Sequence, residues 1–71
     1  MTTTDKTYRI ASLIADYLSR QIERERHFES EYRSEGNDHR ADASLERAFA
    51  YECAHSFVLG VMDSLAASCT V

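Results

Sequence analysis

Helix-breaking residues are almost absent from this chain, which contains no proline and only two glycines, Gly36 and Gly60. A β-sandwich or β-barrel needs many tight turns, and such turns depend on glycine, proline, asparagine and aspartate. The sequence therefore argues against an all-β fold. At 71 residues, the chain also has no room for a doubly wound sheet with a cofactor crevice. We predict an all-α fold.

The one interruption of the helical pattern lies near the middle of the chain. Gly36 suits the left-handed position that follows a helix, and Asn37 or Asp38 can cap the helix that comes next. Two helices joined by so short a loop form an antiparallel hairpin. The predicted bounds, within a single domain of residues 1–71, are helix 1 over about 5–35, a loop at 36–38 and helix 2 over about 39–67.

Helix 1 is predicted to be amphipathic. At 100° per residue, its apolar side chains fall on one stripe, which we expect to face helix 2. Gln21 and Glu25 interrupt this stripe near its middle, whereas Arg20 and Arg24 lie on the exposed side. The apolar members of the stripe are Ile10, Ile14, Tyr17, Leu18, Phe28 and Tyr32.

Helix 2 carries more apolar surface than helix 1 can cover. From residue 53 to 67, His55 and Asp63 are the only acidic or basic side chains. A helix that is apolar on two sides is buried on two sides, so the second side needs another chain. One predicted stripe consists of Tyr51, Ala54, Val58, Val61 and Leu65, and the other of Phe49, Cys53, Ser56, Gly60, Ser64 and Ala67.

The chain is therefore predicted to form a homo-oligomer, minimally a four-helix bundle built from two hairpins. The small residues Ser56, Gly60 and Ser64 would let two helices approach closely. A chain of this length also builds only a small core, and a second copy would enlarge it. The residues predicted at the interface are Phe49, Ser56, Phe57, Gly60, Val61 and Ser64.

Glu52 and His55 form a pattern typical of a metal site. Glu-x-x-His spacing puts a carboxylate and an imidazole one turn apart on a helix, as in ferritin-like di-iron bundles. Glu25 lies at a matching depth on helix 1, so a dimer would supply two copies of each ligand. In the alternative interpretation, Glu52 faces water, His55 is an edge residue, and Glu25 pairs with an arginine of a neighbour, such as Arg24 or Arg26. A carboxylate-bridged metal bundle is thus the second functional hypothesis.

Net charge and the positions of the cysteines limit which functions and which cellular compartments we expect for this chain. The net charge of −4 argues against binding to duplex nucleic acid, which requires a basic face. Cys53 and Cys69 lie sixteen residues apart, which is about 24 Å along one helix and too far for a disulfide. Free thiols, the absence of an apolar leader and the polar residues within the most apolar window predict a cytoplasmic protein with no membrane span.

Motifs for catalysis are missing from the sequence. Cys53 and His55 are two residues apart on a helix, so their side chains point in different directions and cannot form a nucleophile–base pair. No glycine-rich phosphate loop and no zinc-binding spacing occurs. We therefore predict a protein that is not an enzyme and that carries no cofactor.

Tyr8 and Arg9 near the start of helix 1, and Arg40 near the start of helix 2, are candidate ligand-binding residues. An aromatic face beside a guanidinium is a common way to hold a nucleotide without a glycine-rich loop. In an oligomer, helix ends from neighbouring chains could converge to build a shared pocket. The alternative is that Tyr8 packs within the fold and Arg40 is solvated.

The layout resembles that of a family of small phage proteins, the anti-CBASS and anti-Thoeris helical hairpins that sequester cyclic nucleotide signals. Thr7–Arg9 is similar to that family's aromatic–arginine element, Asp38–Arg40 to its entry into the second helix, and Ala50–Val58 to its alanine-rich helix. The resemblance implies that Tyr8 and Arg9 contact the ligand. We therefore predict a phage or bacterial module that inhibits a host defence protein or sequesters a cyclic nucleotide.

Overall fold

A computed structural model describes residues 3–69 of the chain and the side chains of residues 3–67. Two α-helices, α1 (Thr3–Ser34) and α2 (Asp38–Cys69), pack against each other along a rod of 54 × 16 × 12 Å. The predicted all-α helical hairpin is confirmed, and the described part of the chain contains no strand. Over that same part, neither helix combines the length and hydrophobicity needed to cross a bilayer.

Gly36 ends α1 in the conformation that its position predicts. Its φ of +78° lies in the left-handed region, where a side chain would be strained. The Gly36 N–H donates to the Arg33 carbonyl at 3.1 Å, and the Asn37 N–H donates to the Tyr32 carbonyl at 2.8 Å. This pair of bonds satisfies two carbonyl groups that the end of the helix leaves open, and it turns the chain back.

Asn37 caps the second helix. Its side-chain Oδ1 accepts a hydrogen bond from the Arg40 N–H at 3.2 Å, and its carbonyl accepts one from the Ala41 N–H at 3.1 Å. Asp38, which we expected in the loop, is the first residue of α2. Because Asn37 already supplies the cap, helical geometry begins one residue earlier than predicted.

Small residues form the contact between the two helices. The buried apolar side chains are Leu18 and four alanines, and Ser44 is also fully buried. On both helices the buried positions are spaced alternately four and three residues apart, so they form one narrow stripe that faces the partner helix. We call this stripe the seam. The buried seam positions are Ala11, Ala15, Leu18 and Glu25 on α1, and Ala41, Ser44 and Ala48 on α2.

The predicted inner stripe of helix 1 is wrong for three of its members. Ile10, Ile14 and Tyr17 are exposed, whereas Leu18 is buried. The prediction favoured the larger apolar residues, but Ala11 and Ala15 occupy the seam because a small side chain lets the helices approach closely. The branched and aromatic residues are thereby displaced to the flank of α1.

The covered side of α2 also differs from the predicted stripe. Ala54 is exposed, and Val61 is half-buried beside the seam. His55 and Met62 take seam positions and are half-buried, as are Tyr51, Val58 and Leu65. On the other predicted stripe, Phe49, Cys53, Ser56, Gly60, Ser64 and Ala67 are all exposed. Helix α1 therefore covers one side of α2 and leaves the other open.

Candidate functional site

Charge divides the hairpin into two ends. We call residues 20–52 the loop end, and residues 3–19 with 53–69 the open end. The loop end holds nine of the twelve acidic and six of the eight basic residues of the chain. The open end holds the other five charged residues, and most of its surface is apolar or small.

Ion pairs between the helices define their register. Arg33 contacts Asp42 at 3.1 Å, Arg47 contacts Glu25 at 3.0 Å, and Arg26 contacts Glu52. These pairs are consistent with one antiparallel alignment. Extended toward the open end at a constant rise per residue, it places residues 10–17 of α1 alongside about 58–65 of α2.

Exposed apolar side chains of both helices therefore lie at one level of the open end. Ile10, Ile14 and Tyr17 recur every three to four residues and share one flank of α1. Phe57 is 74% exposed. Val61 and Leu65, which follow it by one and two turns of α2, are half-buried. Helical geometry puts both sets on the same side of the hairpin. This open-end face consists of Ile10, Ile14, Tyr17, Phe57, Val61 and Leu65.

A groove of about 410 Å³ lies on the α2 part of this face. A Cβ added to Gly60, one of its lining residues, would meet no atom within 4 Å beyond the adjoining backbone of α2, so that backbone is open to an approaching group. Five of the six residues predicted at an interface line this groove, and their role at an interface stays a prediction. The lining residues are Ser56, Phe57, Gly60, Val61, Ser64 and Leu65.

Phe49, the sixth predicted interface residue, lies elsewhere. It is 66% exposed and lines a separate groove of about 380 Å³ at the loop end, together with Leu45 and Ala48. Arg26, Glu46 and Glu52 complete the lining of that groove. The predicted interface residues are therefore divided between two concave surfaces.

The three candidate ligand-binding residues lie at opposite ends of the hairpin. Tyr8 and Arg9 are exposed at the open end, and Arg40 is at the loop end, where its guanidinium carbon lies 5.8 Å from the centre of the Tyr32 ring. About 36 Å of helix separates Tyr8 from Tyr32, at 1.5 Å per residue. A single chain does not bring these residues into one pocket.

Sequence reasoning missed a row at the loop end in which two aromatic rings lie between two guanidinium groups. Arg24 lies 5.4 Å from the centre of the Phe28 ring, and the Phe28 and Tyr32 rings are 6.4 Å apart. The guanidinium of Arg40 lies over the Tyr32 ring, at the other end of the row. The spacing of four residues from Arg24 to Phe28 to Tyr32 is a signal that could have revealed it.

Glu25 is held in the seam by an arginine of the facing helix. The Glu25 side chain is 11% exposed, and its carboxylate accepts a hydrogen bond at 3.0 Å from Nε of Arg47. Arg47 also donates to Oγ of the buried Ser44 at 3.2 Å. Glu25 is therefore paired with an arginine, as in the alternative interpretation, but its partner is Arg47 of the same chain and not Arg24 or Arg26 of a neighbour.

Glu52 is likewise engaged by an arginine. It accepts a hydrogen bond from Arg26 of α1, and this bond, with the charge of the carboxylate, raises the pKa of Arg26. His55, three residues on, is half-buried at the seam. The residues that the structure describes contain no group of three or more histidine, cysteine, aspartate or glutamate side chains placed to hold a metal ion.

Arg33 joins the two helices next to the turn. It bonds Glu29 at 3.0 Å within α1 and Asp42 at 3.1 Å on α2, and it lies 3.7 Å from Asp38. The hydrogen bonds to Glu29 and Asp42 raise the pKa of Arg33. Arg33 therefore stabilises the hairpin through surface electrostatic contacts with the first turns of α2.

Cys53 is a free and exposed thiol on the outer side of α2. The side chain of Cys69 lies outside the described residues. The predicted absence of a disulfide bond between Cys53 and Cys69 therefore stays a prediction. Cys53 lies one turn from Phe49 and one turn from Phe57, which puts it between the two grooves.

Comparison with other proteins identified no similar protein. No protein-family model matches the chain, and neither the curated proteins nor the solved structures compared with it gave a match. The resemblance to phage helical hairpins stays a prediction. The function is therefore argued below from the geometry of the hairpin.

Proposed function

We propose that this chain is a non-enzymatic binding protein that acts as a homo-oligomer, with the open-end face of one copy packed against that of another. The observation that carries the proposal is the exposure of this face, in which Phe57 leaves 74% of its surface accessible. Contiguous apolar patches on a hairpin this small are typical of sites that another molecule covers.

The size of the open-end face suits a dimer contact. Its four largest exposed members each leave roughly half or more of their surface accessible. At about 200 Å² for a large apolar residue, these side chains and their half-buried neighbours offer about 450–600 Å² per chain. Two copies would bury about 900–1,200 Å² in total, near the lower bound for a specific interface.

The interior of the single hairpin is thin. Among the side chains that the structure describes, Leu18 is the only large apolar one that is buried, and the other buried apolar ones are alanines. Because alanine burial removes little area from water, two such helices gain little hydrophobic free energy on folding. A second copy packed on the open-end face would supply the aromatic and branched side chains that the seam lacks.

Charge favours contact through the open ends. The loop end carries nine acidic against six basic residues, so two loop ends would repel each other. The open end carries few charges, and apolar side chains face outward from both of its helices. Association through the open ends therefore removes apolar surface from water while it keeps like charges apart.

Within this proposal, the assembled protein is a phage or bacterial inhibitor or sequestering module that acts on a host defence component or a cyclic nucleotide. Tyr8 and Arg9 support the sequestering form, because both are exposed at the open end, where copies would meet. A pocket shared between chains would then contain more than one aromatic–arginine pair. The protein-inhibitor form needs only an exposed surface of the assembled bundle.

Sedimentation velocity over a dilution series tests the assembly. We expect the wild-type chain to be at least a dimer at micromolar concentration and Ile14→Glu to be monomeric. Leu45→Glu is the matched control, since Ile14 and Leu45 are 45% and 43% exposed and Leu45 lies at the loop end. A folded wild-type monomer at all concentrations would overturn the proposal.

Calorimetry against a panel of cyclic dinucleotides and trinucleotides tests the sequestering form. We expect saturable heat for at least one of them, with a loss of affinity of tenfold or more in Tyr8→Ala and a smaller loss in Tyr8→Phe, which keeps the stacking ring. An absence of heat for every ligand would reject sequestration of cyclic nucleotides and leave inhibition of a protein partner.

The metal-bundle alternative has less support, because Glu25 and Glu52 are each engaged by an arginine. It would require both carboxylates to exchange these partners for a metal when two chains meet. Metal analysis of the protein purified without chelator tests it, with Glu52→Ala as the comparison. Stoichiometric iron or manganese in the wild type, lost in the variant, would restore this alternative.

A further inference from the structure

We infer that the second copy docks through α2 itself, with the Phe57 ring of each copy inserted beside Gly60 of the other. The inference rests on the proposed self-association and specifies the contact that produces it. Phe57 is the most exposed of the large apolar side chains described. It lines the same groove as Gly60.

The lining of the groove matches a helix-packing hole. When two helices pack by knobs into holes, each knob enters a space bounded by four residues of the facing helix. On a helix these four stand at positions i, i+3, i+4 and i+7. Phe57, Gly60, Val61 and Ser64 have this spacing, and all four line the same groove.

The groove is large enough for an aromatic ring. Its volume of about 410 Å³ corresponds to about a dozen water molecules, at about 30 Å³ each. No atom beyond the adjoining backbone of α2 lies within 4 Å of a Cβ built on Gly60, so an incoming ring would reach that backbone directly. A larger residue at position 60 would occupy that space.

The same helix thus presents both a knob and a hole, which is the requirement for a self-complementary contact. A two-fold axis across two antiparallel copies of α2, near residue 59, lets each Phe57 enter the hole of the other copy. A heterologous partner would need only the hole and would leave Phe57 uncovered. Two copies of this chain cover both features, and for that reason we name a second copy as the occupant.

The test is a size exchange at positions 57 and 60, read as the dimer dissociation constant by sedimentation. We expect Phe57→Ala to weaken the dimer about 30-fold or more, since a buried aromatic anchor is lost. Gly60→Leu should weaken it about tenfold or more, because the added side chain fills the hole. The double variant Phe57→Ala/Gly60→Leu should recover a large part of the affinity, because each leucine occupies the space that the opposite ring has left.

Folding and position are controlled separately. Leucine favours a helix over glycine, so dissociation of Gly60→Leu with unchanged helical circular dichroism is not unfolding. Phe49→Ala, at a residue 66% exposed outside the groove, should leave the dissociation constant within about twofold.

The outcomes separate this inference from the proposed function. A wild-type dimer with Phe57→Ala and Gly60→Leu both within about twofold of it would overturn the α2 contact and keep the self-association. A wild-type monomer would overturn both, and the groove would then belong to a different partner. Weakened single variants with no recovery in the double variant would also reject the proposed pairing of Phe57 with Gly60.

Discussion

The loop end and the open end of the hairpin are stabilised by different interactions. At the loop end, a capped turn, a seam of alanine and serine, and ion pairs across the helices satisfy the polar groups of a single chain. At the open end, α1 and α2 both direct large apolar side chains outward. The comparison shows that polar contacts between the helices concentrate at the loop end, even though Phe49 is exposed there. The open end carries the larger set of exposed apolar side chains, and this is the face that we propose a second copy covers.

The polar contacts of the loop end also determine how the helices align. Alanine seams are nearly featureless, so they would tolerate a slip of one helix along the other. The Glu25–Arg47 pair, with Ser44 bonded to the same arginine, joins one position of α1 to one position of α2. A buried charged group of this kind destabilises any register in which it lacks its partner. The alignment of the open end therefore follows from contacts made at the loop end.

Removing Arg47 should have the largest effect on the stability of the loop end. Arg47→Leu leaves the Glu25 carboxylate buried without its hydrogen-bond donor, and we expect a loss of about 2–3 kcal/mol in the free energy of unfolding. Urea denaturation followed by circular dichroism, at one fixed protein concentration, measures it.

The matched control for this change is Glu25→Leu/Arg47→Leu, which removes both partners and should recover much of the loss. If Arg47→Leu is as stable as the wild-type chain, Glu25 is not held by this pair, and the register needs another explanation.

A side chain at Gly36 should have an intermediate effect. Gly36→Ala forces a Cβ into the left-handed conformation at φ +78°, and we expect a loss of about 1–2 kcal/mol. Gly36→Asn is the control, since asparagine tolerates that conformation better and should lose less. Thermal melts of the three proteins at equal concentration compare them, and equal melting temperatures would contradict the assigned turn.

Surface charge at the turn should have the smallest effect. Arg33→Gln removes the bonds to Glu29 and Asp42, and we expect a small loss of stability that diminishes as salt is raised, because exposed ion pairs are screened. Arg20→Gln, on the exposed side of α1, is the control.

The pH range over which this interaction acts follows from the raised pKa of Arg33. A base whose pKa is higher in the folded state stabilises the fold below the pKa of the unfolded chain, and this contribution is lost as the pH rises through the raised value. The difference between Arg33→Gln and the wild type should therefore persist at neutral pH. A difference that grows with salt would contradict an electrostatic role.

Much of the fold could be predicted from the sequence because it depends on local preferences. Gly36 in a chain without proline marks the end of one helix, and Asn37 marks the start of the next, through contacts with residues at most five positions away. The exposed groove residues of α2 were also anticipated, since an excess of apolar surface can be counted on a helical wheel.

The ligand-binding residues show where such reasoning stops. Tyr8, Arg9 and Arg40 share a chemistry, but their separation depends on the length and direction of the helices between them. The structure places Arg40 on the Tyr32 ring at one end of the rod and Tyr8 at the other. Any site that joins them must be built from more than one chain.

By itself, the sequence determined that the chain forms two helices joined by a tight turn, because turn and cap preferences act within a few residues. Only the tertiary structure decided which side of each helix faces the other. Ala11 and Ala15 are buried and Ile10 and Ile14 exposed, because close packing of two helices favours small side chains at the seam over the most hydrophobic ones. The pairing of Glu25 with Arg47 was decided in the same way, since it depends on the register of two distant segments.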